Sequence, residues 1–270
     1  MMRYEESGLE PVAPVKPVAA YIGGKRTLSC RLVAMIQTIP HDLYIEPFVG
    51  MGGVFLRRTM RPRTEVINDI SDDVATLFRI LQRHYPQLLD TLKWQLSGRA
   101  EFERLHAADP ATLTDLERAA RFLYLQRLAF GGKVMGRNFG VSTTGGARFN
   151  LTKLVPMLED VHERLAGVVI ERLPFADLIR RYDRAGALFY LDPPYWGCEN
   201  DYGKAVFSRA DFEALSALLE GIEGRFILSI NDTPEIRKLF SWALMEEVRL
   251  NYRLSGKATP ARELIISGRR

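Results

Sequence analysis

Residues Phe189–Tyr190–Leu191–Asp192–Pro193–Pro194–Tyr195 set a carboxylate, two prolines and an aromatic ring directly after a short apolar run. In open α/β sheets ligands bind beyond the carboxyl ends of the strands, so this placement faces Asp192 into a site. Consecutive prolines remove two backbone donors and leave carbonyls to face it. That set of acceptors suits an amino group carried on an aromatic ring, whose delocalised lone pair must be turned toward an incoming electrophile. The Asp192 carboxylate and the Pro193 carbonyl can each take one N–H of an adenine-type amino group. Pro194 completes the turn, and Tyr195 offers a flat face on which a base can stack. A nitrogen that gains a methyl group becomes positive, and a nearby carboxylate stabilises that charge more than it stabilises the ground state. Read blandly, the same residues form a proline-containing loop at a strand end.

A second constellation lies upstream. The run Leu43–Tyr44–Ile45 enters the turn Glu46–Pro47–Phe48–Val49–Gly50–Met51–Gly52–Gly53, and Val54 onward reads as helical. A strand feeding a glycine-rich loop lets the backbone approach a bound nucleotide. Gly50 and Gly52 fit the first two positions of G-x-G-x-x-G, but Phe55 occupies the third, which argues against a pyrophosphate. Asp69 follows Gly50 by nineteen positions, at the end of a second short strand, where a carboxylate grips ribose hydroxyls. A ligand with a ribose and no pyrophosphate fits, and S-adenosylmethionine is one. The alternative is a tight turn in the glycines, with Asp69 starting a helix. Tyr21–Ile22–Gly23–Gly24–Lys25, ahead of the first strand, is either a plain loop or a segment bringing ring and lysine to the same ligand.

These residues need a sheet to hold them. Leu43–Ile45, Glu65–Ile67, Val168–Ile170, Leu188–Leu191 and Phe226–Ile230 read as strands, alternating with helical segments such as Leu28–Ile39 and the stretch that Asp72 or Asp73 would cap. Glu247–Leu250 and Leu264–Ile266 form a candidate antiparallel pair. Alternation of this kind predicts a mainly parallel α/β sheet covered on both faces. Residues 1–18, with Pro11, Pro14 and Pro17, read as a mobile extended arm. Residues 86–150, with helical patterns at Leu88–Leu96 and Leu116–Leu128, read as an insert dividing a catalytic domain of residues 19–85 and 151–270.

In order, YIGGK, EPFVGMGG, NDI and LDPPY, with the insert before the last, resemble the Dam-type adenine-specific DNA methyltransferases, over roughly residues 20–268. The resemblance implies a Rossmann-like methyltransferase fold, a helical and basic target-recognition insert, and S-adenosylmethionine as cofactor. It implies that Tyr21, Lys25, Asp69 and Asp192 contact that cofactor, together with the loop residues Glu46, Pro47, Phe48, Gly50 and Gly52. Close members of the family carry tryptophan where this chain has Tyr21, which keeps an aromatic face. The implied substrate is double-stranded DNA, from which the target adenine must be extruded before methylation at N6. Trp196, Tyr202 and Phe207 either line the pocket for that base or belong to the core. Phe175–Ala176–Asp177, after another strand, is a candidate neighbour of the cofactor's adenine.

The insert carries Arg118, Arg121, Arg127, Lys133, Arg137 and Arg148 among glycines and phenylalanines, with Lys153 following. Basic groups on flexible backbone suit phosphates, with a few side chains left for base edges; otherwise they are a solvated surface. Arg127, Lys133, Arg137, Arg148 and Asn150 are the candidate DNA contacts. GGARFN resembles the Gly-x-Phe-Asn segment of the family's insert, whereas FGGKVMGRNFG departs from it, so no recognition sequence follows.

The 270 residues are 47% hydrophobic and 26% charged with a net charge of +4, as expected of one large domain, or one with an insert, and a polyanionic partner. No apolar run reaches membrane-spanning length, and the N-terminus has no apolar leader. Cys30 and Cys198 are too few for a disulfide framework or a zinc site, and His41, His84, His106 and His162 lack ligand spacing. The expectation is therefore a metal-free, monomeric, cytoplasmic enzyme of a bacterial or phage-infected cell, associated with the nucleoid, with or without a partner restriction endonuclease. Methylation of adenine in RNA, of a glutamine amide in protein, and silent DNA binding remain as alternatives; an intact Asp192 and the basic insert favour DNA methylation.

Overall fold

The computed structural model describes residues 8–25, 27–140, 146–203, 206–254 and 257–268. In chain order the elements are β1 (Glu10–Pro11), α1 (Ser29–Thr38), β2 (Leu43–Glu46), β3 (Met60–Arg61) and β4 (Thr64–Asn68). Five helices follow: α2 (Asp72–Arg83), α3 (Tyr85–Leu92), α4 (Arg99–Ala107), α5 (Asp115–Leu128) and α6 (Leu151–Arg164). Then come β5 (Val169–Glu171), α7 (Phe175–Tyr182), β6 (Ala187–Leu191), α8 (Arg209–Glu220), β7 (Arg225–Asn231) and α9 (Pro234–Leu239). The hairpin β8 (Leu244–Leu254) and β9 (Lys257–Ser267) ends the described chain.

Seven strands form one sheet in the order β5-β4-β2-β6-β7-β9-β8. The first five are parallel, while β9 runs antiparallel to both β7 and β8. Strands buried on both faces read as near-continuous apolar runs, and Leu43–Ile45 and Ala187–Leu191 are buried at every position, with the buried acid Glu46 closing β2. Side chains of period two then divide the core. Leu43, Ile45, Phe189, Leu191 and Leu228 face the layer of α7, α8 and α9. Tyr44, Ile67, Leu188, Tyr190 and Ile227 face the other layer, where α1, α2, α3, α5 and α6 share a single apolar cluster. Residues 86–150 thus supply α3, α4 and α5 between α2 and α6. Thr114 and Glu117 close a reciprocal capping box at the start of α5, whose residues Ala119–Gln126 are all buried.

Three local expectations change. Residues 9–18 do not behave as a mobile arm: Leu9, Val15 and Val18 are buried, and the amides of Val12 and Val15 donate to Thr59 and Leu56 carbonyls at 2.9 and 2.7 Å. Prolines keep the segment extended, so its remaining amides pair with the 56–61 segment while its valines fill the core. Residues 1–7 lie outside the described residues. After Val54 only the 3-10 turn Phe55–Arg57 forms. Arg58 turns extended and sinks its guanidinium onto the Tyr44 ring, 3.6 Å from its centroid, and beside Glu65 at 3.0 Å, where Arg164 also pairs with Glu65. At α2 the cap is Ser71, with Asp72 and Asp73 in the first turn, where the helix dipole favours them.

Candidate active site

The order of the sheet reverses between β2 and β6: the chain runs outward from β2 to β4 and β5, then returns to β6 on the other side. Crossovers therefore leave the sheet on opposite faces there, and a crevice opens beyond the strand ends. A cavity of about 1160 Å³ occupies it. Gly50, Met51 and Gly53 line it from the loop after β2, Asp69 from the end of β4, and Asp192 and Pro194 from the end of β6. Tyr21, Lys25, Glu46, Pro47 and Phe48 line it as well. The glycine loop and two residues of the Asp-Pro-Pro-Tyr turn, Asp192 and Pro194, thus face one cleft, whereas Pro193 and Tyr195 are not among its lining residues.

Gly50 and Gly52 sit in the left-handed region, with φ of 51° and 72°, which side-chain-bearing residues rarely adopt. The Tyr21 ring lies against Gly50 so closely that a Cβ there would stand 3.0 Å from it. Asp69 closes the loop by accepting from the Gly50 amide through Oδ2 and from the Ser71 amide through Oδ1, both at 2.9 Å. Burial raises its pKa to about 6, against the pull of those two amides. Asp69 therefore both closes the tight turn and lines the cavity. Asn68, buried beside it, donates to the carbonyls of Pro47 (2.9 Å) and Leu173 (3.1 Å) and accepts from the Leu173 amide (2.8 Å), tying three loops together. Glu46 is buried and accepts from the Tyr44 hydroxyl at 2.6 Å. Burial pushes its pKa up to about 8, with the Tyr44 bond and Arg58 opposing and Asp192 adding to the rise. Near neutral pH it is chiefly the uncharged acid.

Lys25 is 2% exposed, and its ammonium reaches across to Asp192 Oδ1 at 2.6 Å. The same group donates to the Tyr195 hydroxyl at 2.7 Å and to the Gly23 carbonyl at 3.3 Å. The Tyr195 hydroxyl donates onward to Glu263 of β9. Burial raises the Asp192 pKa to about 6, and Lys25 is the chief opposing influence. Ser229 of β7 reaches Asp192 at 3.5 Å and shares a 2.8 Å bond with Tyr190. The turn itself is clasped by Asn231, whose amide accepts from Trp196 N at 2.9 Å and donates to Trp196 O at 3.0 Å. The helix cap next door is Thr233. Pro193 and Pro194 are buried.

Of the aromatic residues after the turn, Tyr202 lines the cavity, lies 5.9 Å from Tyr21 between ring centroids and donates to the Ile22 carbonyl at 3.0 Å. Phe207 belongs both to the cavity wall and to a core group with Phe48, Phe175 and Phe212. Trp196 packs on Phe212 beneath the Arg209 guanidinium. Phe175 lines the cavity.

The basic residues of the insert separate into two kinds. Arg118 pairs with Asp72 and Asp73, and Arg121 donates to the Leu105 and His106 carbonyls. Arg127 donates to the carbonyls of Val18 (2.9 Å) and Arg148 (2.7 Å), while Arg137 donates to Gln126 at 3.2 Å. Those four guanidinium groups hold the protein's own polar atoms. Lys133, Arg148, Asn150 and Lys153 are exposed. Residues 141–145 of the glycine-rich stretch lie outside the described residues. Among the described residues no cluster of His, Cys, Asp or Glu is placed to hold a metal, and no helix is long and apolar enough to cross a membrane.

Glu263 was the site residue least visible in the sequence. Its one signal is a charged residue directly before the apolar run Leu264–Ile266, and only the strand order brings it beside Asn231.

Comparison with known proteins agrees with this geometry. A type II methyltransferase, M.CviBI, of Paramecium bursaria Chlorella virus NC1A is 24% identical over 245 residues, covering 88% of this chain and 92% of the relative. A DNA adenine methylase of Haemophilus influenzae is 24% identical over 98% of both chains. A DNA N-6-adenine-methyltransferase of Escherichia phage P1 is 26% identical over 73% of this chain and 27% of the longer phage protein. The model of one family spans residues 21–253, from the Tyr21 motif into the hairpin, and so takes in the glycine loop, Asp69 and the Asp-Pro-Pro-Tyr turn. The chain belongs to the D12 class of N6 adenine-specific DNA methyltransferases.

Proposed function

We propose that this chain binds S-adenosylmethionine against Tyr21, Glu46–Gly50 and Asp69, and accepts an adenine extruded from duplex DNA against Asp192, Pro193 and Tyr195. The observation that carries the reading is the single cavity lined by the glycine loop, Asp69 and, from the second motif, Asp192 and Pro194. At about 1160 Å³ it exceeds the span of about 300–1,000 Å³ usual for one small-molecule ligand, so it has room for a nucleoside-sized donor beside a base. The lining suits the donor: an aromatic ring on the glycine loop, an acid at the end of β4 for ribose hydroxyls, and apolar Phe48, Leu173 and Phe175 for a purine. When bound, S-adenosylmethionine supplies a methyl group on a sulfonium.

The chain's own residues do the rest. Asp192 and the Pro193 carbonyl accept the two N–H groups of the base, turning the nitrogen lone pair out of conjugation with the ring. As positive charge develops on that nitrogen, the Asp192 carboxylate stabilises it and can take the proton that leaves. Lys25 favours the ionised form of the partly buried Asp192 and supports the Tyr195 ring from its hydroxyl. The exposed Lys133, Arg148 and Asn150 are the insert's candidate contacts to the duplex.

The test is labelled-methyl transfer to unmethylated duplex DNA, with RNA and protein as parallel acceptors, followed by nucleoside analysis for N6-methyladenine. Asp192→Ala should cut transfer by roughly 10²–10³-fold, as loss of a transition-state partner does, with a smaller loss of cofactor binding. Label appearing in RNA or protein instead, or near-normal turnover of the variant, would overturn the assignment.

A further inference from the structure

Glu263 is 1% exposed on a strand that continues Leu264–Ile265–Ile266, facing Asn231 of β7 on one side and Val248 of β8 on the other. A carboxyl group in such a place costs several kcal/mol unless partners satisfy it, so its retention calls for a reason. Among its partners is the Tyr195 hydroxyl, which donates to Glu263 Oε1 and accepts from Lys25 Nζ. The phenol is thereby gripped at its tip from two unrelated parts of the chain. Lys25 arrives from the loop before α1, and Glu263 from the last strand of the sheet. The ring base is held separately, because Asn231 clasps the next residue, Trp196, by both its amide and its carbonyl. Held at both ends, the half-buried Tyr195 ring has little freedom to tilt.

We propose that Glu263 is a positioning residue for methyl transfer, acting through the Tyr195 hydroxyl to hold the ring at the angle on which the extruded adenine stacks. The inference rests on the reading of Tyr195 as the stacking face. The bond to Glu263 also orders the proton on the phenol: with its hydrogen committed to the carboxyl group, the hydroxyl oxygen presents a lone pair to Lys25, which leaves that ammonium directed at Asp192. One buried acid on the hairpin thus organises both the platform for the base and the cation beside the acceptor.

The experiment is a double-mutant cycle of Tyr195→Phe and Glu263→Leu, read as kcat for methylation of duplex DNA. Glu263→Gln is the conservative control, because its amide oxygen still accepts from the phenol. Stacking of a base on an aromatic ring is worth about 1–3 kcal/mol, so each single variant should lose on the order of tenfold in kcat, with KM for DNA and the cofactor dissociation constant changed by about twofold or less. The double variant should lose no more than either single one. A second readout places 2-aminopurine at the mapped target position: its fluorescence should rise in the Glu263→Leu complex, where the stack is loosened, and stay near the wild-type level in Glu263→Gln. Losses that multiply to about a hundredfold in the double variant, or equal 2-aminopurine signals in all three proteins, would overturn the inference. Either result in an enzyme whose wild-type form methylates DNA counts against Glu263 alone. A wild-type chain that transfers no methyl group to DNA would overturn the functional reading beneath it.

Discussion

Replacing Lys25 by methionine isolates what a single buried cation does to the acceptor carboxylate. Methionine keeps the apolar stem and removes the charge that stands 2.6 Å from Asp192. In the intact site burial has raised the Asp192 pKa to about 6, with Lys25 as its leading opponent. An opposite charge at such range lowers a carboxylate by about 1–3 units, so its loss should carry Asp192 to roughly 7–9. At pH 7 the ionised fraction would fall from about 0.9 to between about 0.5 and about 0.01. If ionised Asp192 is what the base requires, kcat/KM at pH 7 drops by roughly two- to a hundredfold and returns as the pH is raised. The assay is methyl transfer between pH 5.5 and 9 under conditions in which thermal melting shows the variant folded, since an unpaired buried carboxylate also destabilises. The diagnostic result is an acid limb displaced upward from about pH 6. A limb that stays in place, with activity lowered equally at every pH, would refute the argument and move Lys25 to another task.

Glu46 makes a prediction about stability. Its pKa is raised from 4.5 to about 8, so between those values the unfolded chain has released a proton that the folded chain retains. Stability contributed by this residue therefore falls as pH rises through that window, by at most about 1.4 kcal/mol per pH unit. Glu46→Gln, which still offers an oxygen to Tyr44, should match the wild type in urea unfolding near pH 4.5 and exceed it at pH 8; identical pH slopes would show that Glu46 is ionised in the fold. Asn231→Ala removes both bonds that clasp Trp196, worth about 1 kcal/mol each, and should lower kcat while leaving cofactor affinity unchanged in calorimetry. Undiminished kcat would mean that the turn is held by other contacts.

The architecture was legible because parallel strands leave short, mainly apolar runs, and all five such runs match strands of the sheet to within a residue or two. The hairpin and the juxtaposition of Gly50 with Asp192 were legible for the same reason, since alternation of strand and helix limits where strand ends can meet. Turns shorter than a helix were not. Nothing in Val54–Leu56 distinguishes the start of a helix from one 3-10 turn, and the outcome rests on Arg58, whose partners Tyr44 and Glu65 are brought near only by folding. Residues 9–18 depart from the expectation for a related reason. Spaced prolines forbid helix but not packing, and Val15 and Val18 enter the core while the amides of Val12 and Val15 pair with residues some forty positions away. Composition marked the insert as basic, yet it could not separate arginines that grip backbone carbonyls from those left at the surface.

The distance in sequence between Lys25 and Asp192 has a physical consequence. A carboxylate that must stay ionised while buried needs a cation, but a cation offered by the same loop would move with it and lock onto it in any conformation. Here the cation comes from a segment that lies against the opposite wall, beside Tyr21 and Gly50, where the cofactor is proposed to sit. The Lys25–Asp192 pair therefore spans the cleft from the donor side to the acceptor side, and the acceptor acquires its working charge only when both walls are in register. Loosening either wall, by disturbing Tyr21 against Gly50 or Tyr195 against Glu263, should then raise the Asp192 pKa as well as shift a ring. Coupling of that kind would appear as an acid limb that moves in variants that never touch Asp192.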